Sequence, residues 1–151
     1  MDNCYLKEFE AIVESVKDDK YVALDKTAFY PLGGGVACDT GVLLRDDEEF
    51  PVVYVGKFDD KISHEVSKSG LKQGDRIIGV INWERRYKLM KLHTAAHLLA
   101  SVFHNNGNAL ITGNKIEPDC ARMDFSLENL QRRELQTRKE PLLTFRMSRK
   151  S

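Results

Sequence analysis

WERRYKLMKLHTAAHLLASVFHN, residues 83–105, is the stretch of this sequence that decides the fold. Its apolar residues recur at steps of three and four, as in the stripe of a helix that faces a core. They are Leu89, Leu92, Ala96, Leu99 and Phe103. We therefore predict a helix from Trp83 to Asn105, ended by the Asn-Asn-Gly-Asn breaker that follows.

The helix carries two histidines, His93 and His97, four positions apart. This spacing places both on one face, about 6 Å apart, and we expect the pair at the edge of the apolar stripe. Neutral imidazole is a common metal ligand, so the pair could bind one ion. Half-buried histidines satisfied by backbone carbonyls are the alternative. No Glu follows His93, which excludes the metalloprotease motif HExxH.

A zinc site needs three or four ligands, and the other candidates are poorly placed. His104 lies about 10 Å further along the same helix, too far to share an ion with His97. His64 is expected in a surface loop or strand. No two cysteines form a CxxC motif, and the spacing does not select among Cys4, Cys38 and Cys120.

The composition indicates a globular protein of one domain or two small ones. The 151 residues are 42% hydrophobic, with 23 basic and 23 acidic side chains. Zero net charge argues against bulk electrostatic binding of nucleic acid. Scattered cysteines indicate a reducing compartment, and neither a membrane span nor a signal peptide is present, so we expect a cytoplasmic protein.

Residues 1–82 are predicted to be rich in β-strands, because short apolar runs alternate with turn residues. The predicted strands are Ala11–Val16, Tyr21–Leu24, Gly41–Leu44, Val52–Val55 and Ile77–Ile81. After the helix we predict a strand pair, Ala109–Thr112 and Ala121–Phe125, and a second helix from Leu127 capped by Ser126. This gives three parts: a β domain (1–82), a helix-containing domain (83–135) and an irregular basic tail (136–151).

A glycine-rich loop precedes the third predicted strand. Gly33-Gly34-Gly35 lacks the Gly-Lys-Ser/Thr of a phosphate loop and the GxGxxG of a dinucleotide site. Taken with its neighbours, the loop becomes part of a specific series of motifs. They are LDKTAFYP (24–31), GGG (33–35), DTG (39–41), RYKLMKLHTAAH (86–97), ITGN (111–114) and ARMDFS (121–126). In this order they resemble the alanyl-tRNA editing proteins (AlaX), relatives of the editing domain of alanyl-tRNA synthetase.

The resemblance implies an α+β fold, with a small N-terminal β-barrel-like domain followed by the first part of an editing domain. This editing domain is of the type common to threonyl- and alanyl-tRNA synthetases. The implied activity is zinc-dependent hydrolysis of seryl- or glycyl-tRNA(Ala). His93 and His97 would be metal ligands, and Thr112 a catalytic residue at the amino-acid pocket. Gly33, Gly34 and Gly35 would face the tRNA.

The chain also departs from the family pattern. No Cys-x-x-x-His follows Cys120, so we expect an incomplete zinc site and impaired activity, as in a truncated member of the family. Leu32, Val36, Ala37 and Cys38 replace the family's Glu, Gln, Pro and Ser. A homo-oligomer or a partner chain would be needed to complete the site. The alternative function is a non-catalytic remnant that binds tRNA or protein.

Overall fold

The computed structural model describes residues 5–58, 60–107, 109–126 and 142–148. One helix and nine strands are found in these ranges. They are β1 (Glu8–Lys17), β2 (Tyr21–Leu24), β3 (Gly41–Arg45), β4 (Glu48–Phe58), β5 (Lys61–Val66), β6 (Arg76–Ile81), α1 (Trp83–Gly107), β7 (Leu110–Glu117), β8 (Cys120–Ser126) and β9 (Leu142–Ser148).

The first six strands close into an antiparallel barrel in the order β1-β2-β5-β4-β3-β6, with β6 pairing back to β1. The β1–β2 turn uses Asp18 and Asp19, both with positive φ, as the tightest hairpin turns require. Alternate residues of the strands point inward. The fully buried side chains of the barrel include Val13, Val22, Phe29, Leu43, Phe50, Val52 and Val55.

All five strands predicted in this region are present, and the α+β fold class is confirmed. β5 was not predicted as a strand, because Lys61–Val66 contains only two apolar residues, Ile62 and Val66, and has a histidine at an inward position. His64 is fully buried, so its expected surface position is wrong. The physical reason is that a buried carbonyl and a hydroxyl satisfy both ring nitrogens.

The predicted helix is confirmed and extends two residues further than expected, to Gly107. Asn82 caps its start: the side-chain Oδ1 accepts the Arg85 N–H at 3.1 Å, and the backbone oxygen accepts the Arg86 N–H. Leu89 and Ala96 of the predicted stripe are buried. Asn82 thus satisfies two N–H groups in the first turn of the helix.

After the helix, three strands form an antiparallel sheet in the order β7-β8-β9. The first two confirm the predicted pair, and Phe103 of α1 packs on Phe125 of β8, with ring centroids 4.7 Å apart. The irregular tail predicted over 136–151 is wrong for Leu142–Ser148, which is strand β9. The sequence there alternates with period two, and positions 143, 145 and 147 pair with the buried Phe125, Met123 and Ala121. The helix predicted from Leu127 lies outside the described residues.

The chain divides into two compact units: Met1–Gly33 with Ala37–Tyr87, and Gly34–Val36 with Lys88–Ser151. The first contains the barrel, and the second contains the three-stranded sheet and most of α1. In the described parts of both units, no helix has the length and apolar character needed to span a membrane.

Candidate functional site

The two predicted metal ligands lie together on α1 in the second unit. The Nε2 atoms of His93 and His97 are 3.0 Å apart, and the ring centroids are 4.6 Å apart. Both side chains are exposed, so the pair lies at the edge of the buried stripe but reaches solvent. The stripe buries Leu89 and Ala96, and His93, four positions from the first and three from the second, flanks it.

The separation of the two nitrogens suits binding to one ion. Two imidazoles on a tetrahedral zinc, each at about 2.0–2.1 Å, have nitrogens about 3.3–3.4 Å apart. The observed 3.0 Å needs only a small rotation of the side chains. Within the described ranges, no third His, Cys, Asp or Glu gathers with the pair. The pair therefore fits two positions of a metal shell.

Cys120, considered above as a thiolate ligand, begins β8 at the turn of the β7–β8 hairpin. It pairs with Glu117 across that turn, and its Sγ is 3.9 Å from the Glu117 carboxylate. Thr112 lies towards the opposite end of β7, five residues from Glu117, or about 16 Å of extended strand. Cys120 and Thr112, the predicted pocket residue, therefore lie towards opposite ends of the β7–β8 hairpin.

Thr112 is the extra residue of a β-bulge. Ile111 pairs with Phe125 and Gly113 with Asp124, which leaves Thr112 without an opposite residue. Its side chain is exposed. Bulges change the direction of a side chain and are frequent beside active sites. Among the described residues, no hydrogen bond joins Thr112 to the histidines. The sequence gave no indication of the bulge, and the role of Thr112 stays a prediction.

The end of the glycine loop is attached to β7. Ile116 donates its N–H to the Gly35 carbonyl at 2.7 Å, and Asn114 donates its side-chain N–H to the Gly34 carbonyl at 3.1 Å. Gly35 has φ +76°, and a Cβ there would lie 2.6 Å from the Asn114 backbone oxygen. Gly34 also has a positive φ but open space around it. At Gly35, glycine is therefore required by a close backbone approach.

A buried ion pair between Arg86 and Asp39 fixes the start of α1. Both residues belong to the first unit, and the sequence did not predict the pair. Arg86 and Asp39 are 7% and 2% exposed, and the guanidinium Nε lies 3.0 Å from Asp39 Oδ2. Arg86 also donates to the Ala28 carbonyl at 2.6 Å, and Asp39 accepts the Tyr30 N–H at 2.6 Å. Both residues belong to motifs quoted above, but 47 positions separate them.

His64 is a second buried polar residue of the barrel. Its Nδ1 donates to the Val22 carbonyl at 2.9 Å, and its Nε2 is 2.8 Å from the Thr27 hydroxyl, which donates to it. The same hydroxyl accepts the Phe29 N–H. Burial lowers the pKa of His64, against a smaller opposing effect of the hydrogen bond to Val22. His64 is thus a neutral structural residue that fixes the 27–29 segment.

Residues 3–85, more than half of the chain, match the family model described as tRNA synthetases class II (A). The chain belongs to this family. The match covers the barrel and ends at the first turn of α1.

The alignments with similar proteins extend beyond the barrel. The alanyl-tRNA editing protein AlaX-M of Methanosarcina acetivorans is 54% identical over an alignment of 138 residues, which covers 86% of this chain and 56% of that protein. Its counterpart in Saccharolobus solfataricus is 42% identical over 85% of this chain and 56% of its own length. The alanine–tRNA ligase of Ignicoccus hospitalis is 44% identical over 81% of this chain but 14% of its own. The chain thus spans little more than half the length of its editing-protein relatives.

Proposed function

We propose that this chain acts in alanyl-tRNA editing, by hydrolysing the ester bond of seryl- or glycyl-tRNA(Ala). The observation that carries the proposal is the placement of His93 and His97, with exposed Nε2 atoms 3.0 Å apart on α1. Relatives that are 42–54% identical are named alanyl-tRNA editing proteins. The proposal combines the activity given in the names of these relatives with a histidine pair that could bind a metal ion.

In this proposal His93 and His97 hold zinc. Bound zinc would supply a Lewis acid that polarises the ester carbonyl and lowers the pKa of water. The two imidazoles lie one helical turn apart on a single rigid element, which fixes their mutual orientation. Two ligands supply only part of a four-ligand shell. We therefore expect the chain to hold zinc weakly unless ligands from outside the described residues, or from a partner chain, join the pair.

Thr112 is the residue proposed to recognise the amino acid. A hydroxyl can both donate and accept a hydrogen bond, so it can pair with the hydroxyl of a serine. A site that hydrogen-bonds a substrate hydroxyl discriminates strongly against an analogue without it. The bulge at Thr112 and its exposed side chain support this role. If the proposal holds, Thr112→Val lowers activity on seryl-tRNA more than on glycyl-tRNA.

The test is release of serine from seryl-tRNA(Ala) by the whole chain with added zinc. His93→Ala and His97→Ala should each abolish the activity, and zinc titration should show weaker binding in both variants. His104→Ala is the matched control, because His104 is also exposed on α1 but lies seven residues from His97. Activity that survives in both histidine variants would refute the proposal. Binding of tRNA without release of serine would favour the non-catalytic alternative.

A further inference from the structure

Three aromatic side chains and a lysine form an exposed cluster where α1 begins. Trp83 and Tyr87, one helical turn apart, have nearly parallel rings 6.1 Å apart. Tyr5 lies 5.9 Å from the Trp83 ring, and the Lys7 ammonium is 5.2 Å from the centre of the same ring. We call Tyr5, Trp83 and Tyr87 the aromatic platform. All of it belongs to the first unit.

The platform is not part of the barrel core. Tyr5 is 62% exposed and Tyr87 is 45% exposed, whereas Trp83 between them is partly buried. The tryptophan thus anchors the cluster, and the two tyrosine side chains are accessible to solvent. Large exposed aromatic groups that lie side by side are characteristic of binding surfaces, whereas scattered single ones are not.

A cation lies against the platform: the Lys7 ammonium is in contact with the Trp83 ring. The whole chain has zero net charge, so attraction for phosphates must come from local cations such as this one. Stacking surfaces joined to cations are what single-stranded nucleic acids bind, because bases stack on the rings and phosphates pair with the cations.

We propose that the aromatic platform stacks unpaired bases of an RNA strand. The choice of RNA, over another ligand with a flat ring, rests on the proposed function. A base stacks its flat face on the platform, and its phosphate lies near Lys7. Because every base has such a face, binding tolerates different RNA sequences. Adenine, which offers the larger stacking surface, should bind more tightly than uracil.

The experiment uses the whole chain and two single-stranded RNA probes, short oligoadenylate and oligouridylate. Fluorescence anisotropy of labelled RNA gives the affinity, and emission of Trp83, the sole tryptophan, reports binding at the platform. We expect both probes to quench Trp83, oligoadenylate to bind more tightly, and added salt to weaken both. Tyr87→Leu should weaken oligoadenylate binding about fivefold or more, and Tyr87→Phe by less than about twofold.

Phe58→Leu is the matched control, because Phe58 is an equally exposed aromatic residue, 57%, at the end of β4. It should bind RNA as the unmodified chain does, and Tyr5→Leu should repeat the loss seen in Tyr87→Leu. The proposal is overturned if RNA leaves Trp83 emission unchanged, or if Tyr87→Leu and Phe58→Leu bind equally well. Binding of these probes requires no hydrolysis, so a chain that stacks RNA but releases no serine refutes only the proposed function.

Discussion

The buried pair of Asp39 and Arg86 should couple the start of α1 to the 28–39 segment. Replacing Arg86 by Met leaves the Asp39 carboxylate, 2% exposed, with the Tyr30 N–H as its remaining hydrogen bond among those described. Breaking a buried pair on one side costs about 3–5 kcal/mol, because the other charge stays buried and uncompensated. Arg86→Met should therefore lower the free energy of unfolding by about that amount, and Asp39→Asn by a comparable one.

The double variant decides whether the two residues act together. Asp39→Asn combined with Arg86→Met removes both charges, so its loss should be at least about 2 kcal/mol smaller than the sum of the single losses. Urea unfolding followed by Trp83 emission measures this at the start of α1. Lys61→Met is the control: its pair with Glu14 is exposed, 70% and 43%, and should contribute about 0–1 kcal/mol. Losses that add within about 0.5 kcal/mol would refute the coupling.

Three further predictions concern other contacts. The pKa of His64 lies below its ordinary 6.5 in the fold, so the unfolded chain binds the proton more readily. Its contribution to stability is complete above pH 6.5 and is lost progressively as pH falls from 6.5 to the lower pKa of the folded state, by up to about 1.4 kcal/mol per pH unit. In urea unfolding at several pH values, His64→Gln should remove this slope. Gly35→Ala should lower the thermal midpoint of unfolding, because a Cβ at Gly35 would lie 2.6 Å from a backbone oxygen. Gly33→Ala should leave the midpoint unchanged, because a Cβ at Gly33 would have no neighbour nearer than 3.9 Å. Equal midpoints for the two variants would contradict this prediction. Phe125→Ala should cost about 3–5 kcal/mol in chemical unfolding, whereas Leu98→Ala, 65% exposed, should stay within about 0.5 kcal/mol.

The local elements of the fold could be predicted from the sequence. Short apolar runs between turn residues identified five barrel strands, and apolar residues at steps of three and four placed the start of the helix at Trp83. Both signals depend on neighbouring residues, because a strand or helix presents one face through its own geometry. The same geometry brought His93 and His97 together, since one helical turn is sufficient to do so. The family resemblance likewise came from short motifs in order.

Only the tertiary structure decided which distant residues meet. Asp39 and Arg86 are 47 positions apart, and His64 acquires partners at positions 22 and 27 only when the barrel closes. The apolar residues of β9 gave no helical repeat, and their period of two has meaning only beside β8. A buried charge or imidazole is stable only when its partners come from other elements, so burial and hydrogen bonding depend on how the chain returns on itself. Local sequence specifies the faces of helices and strands, but it does not specify which faces the fold brings into contact.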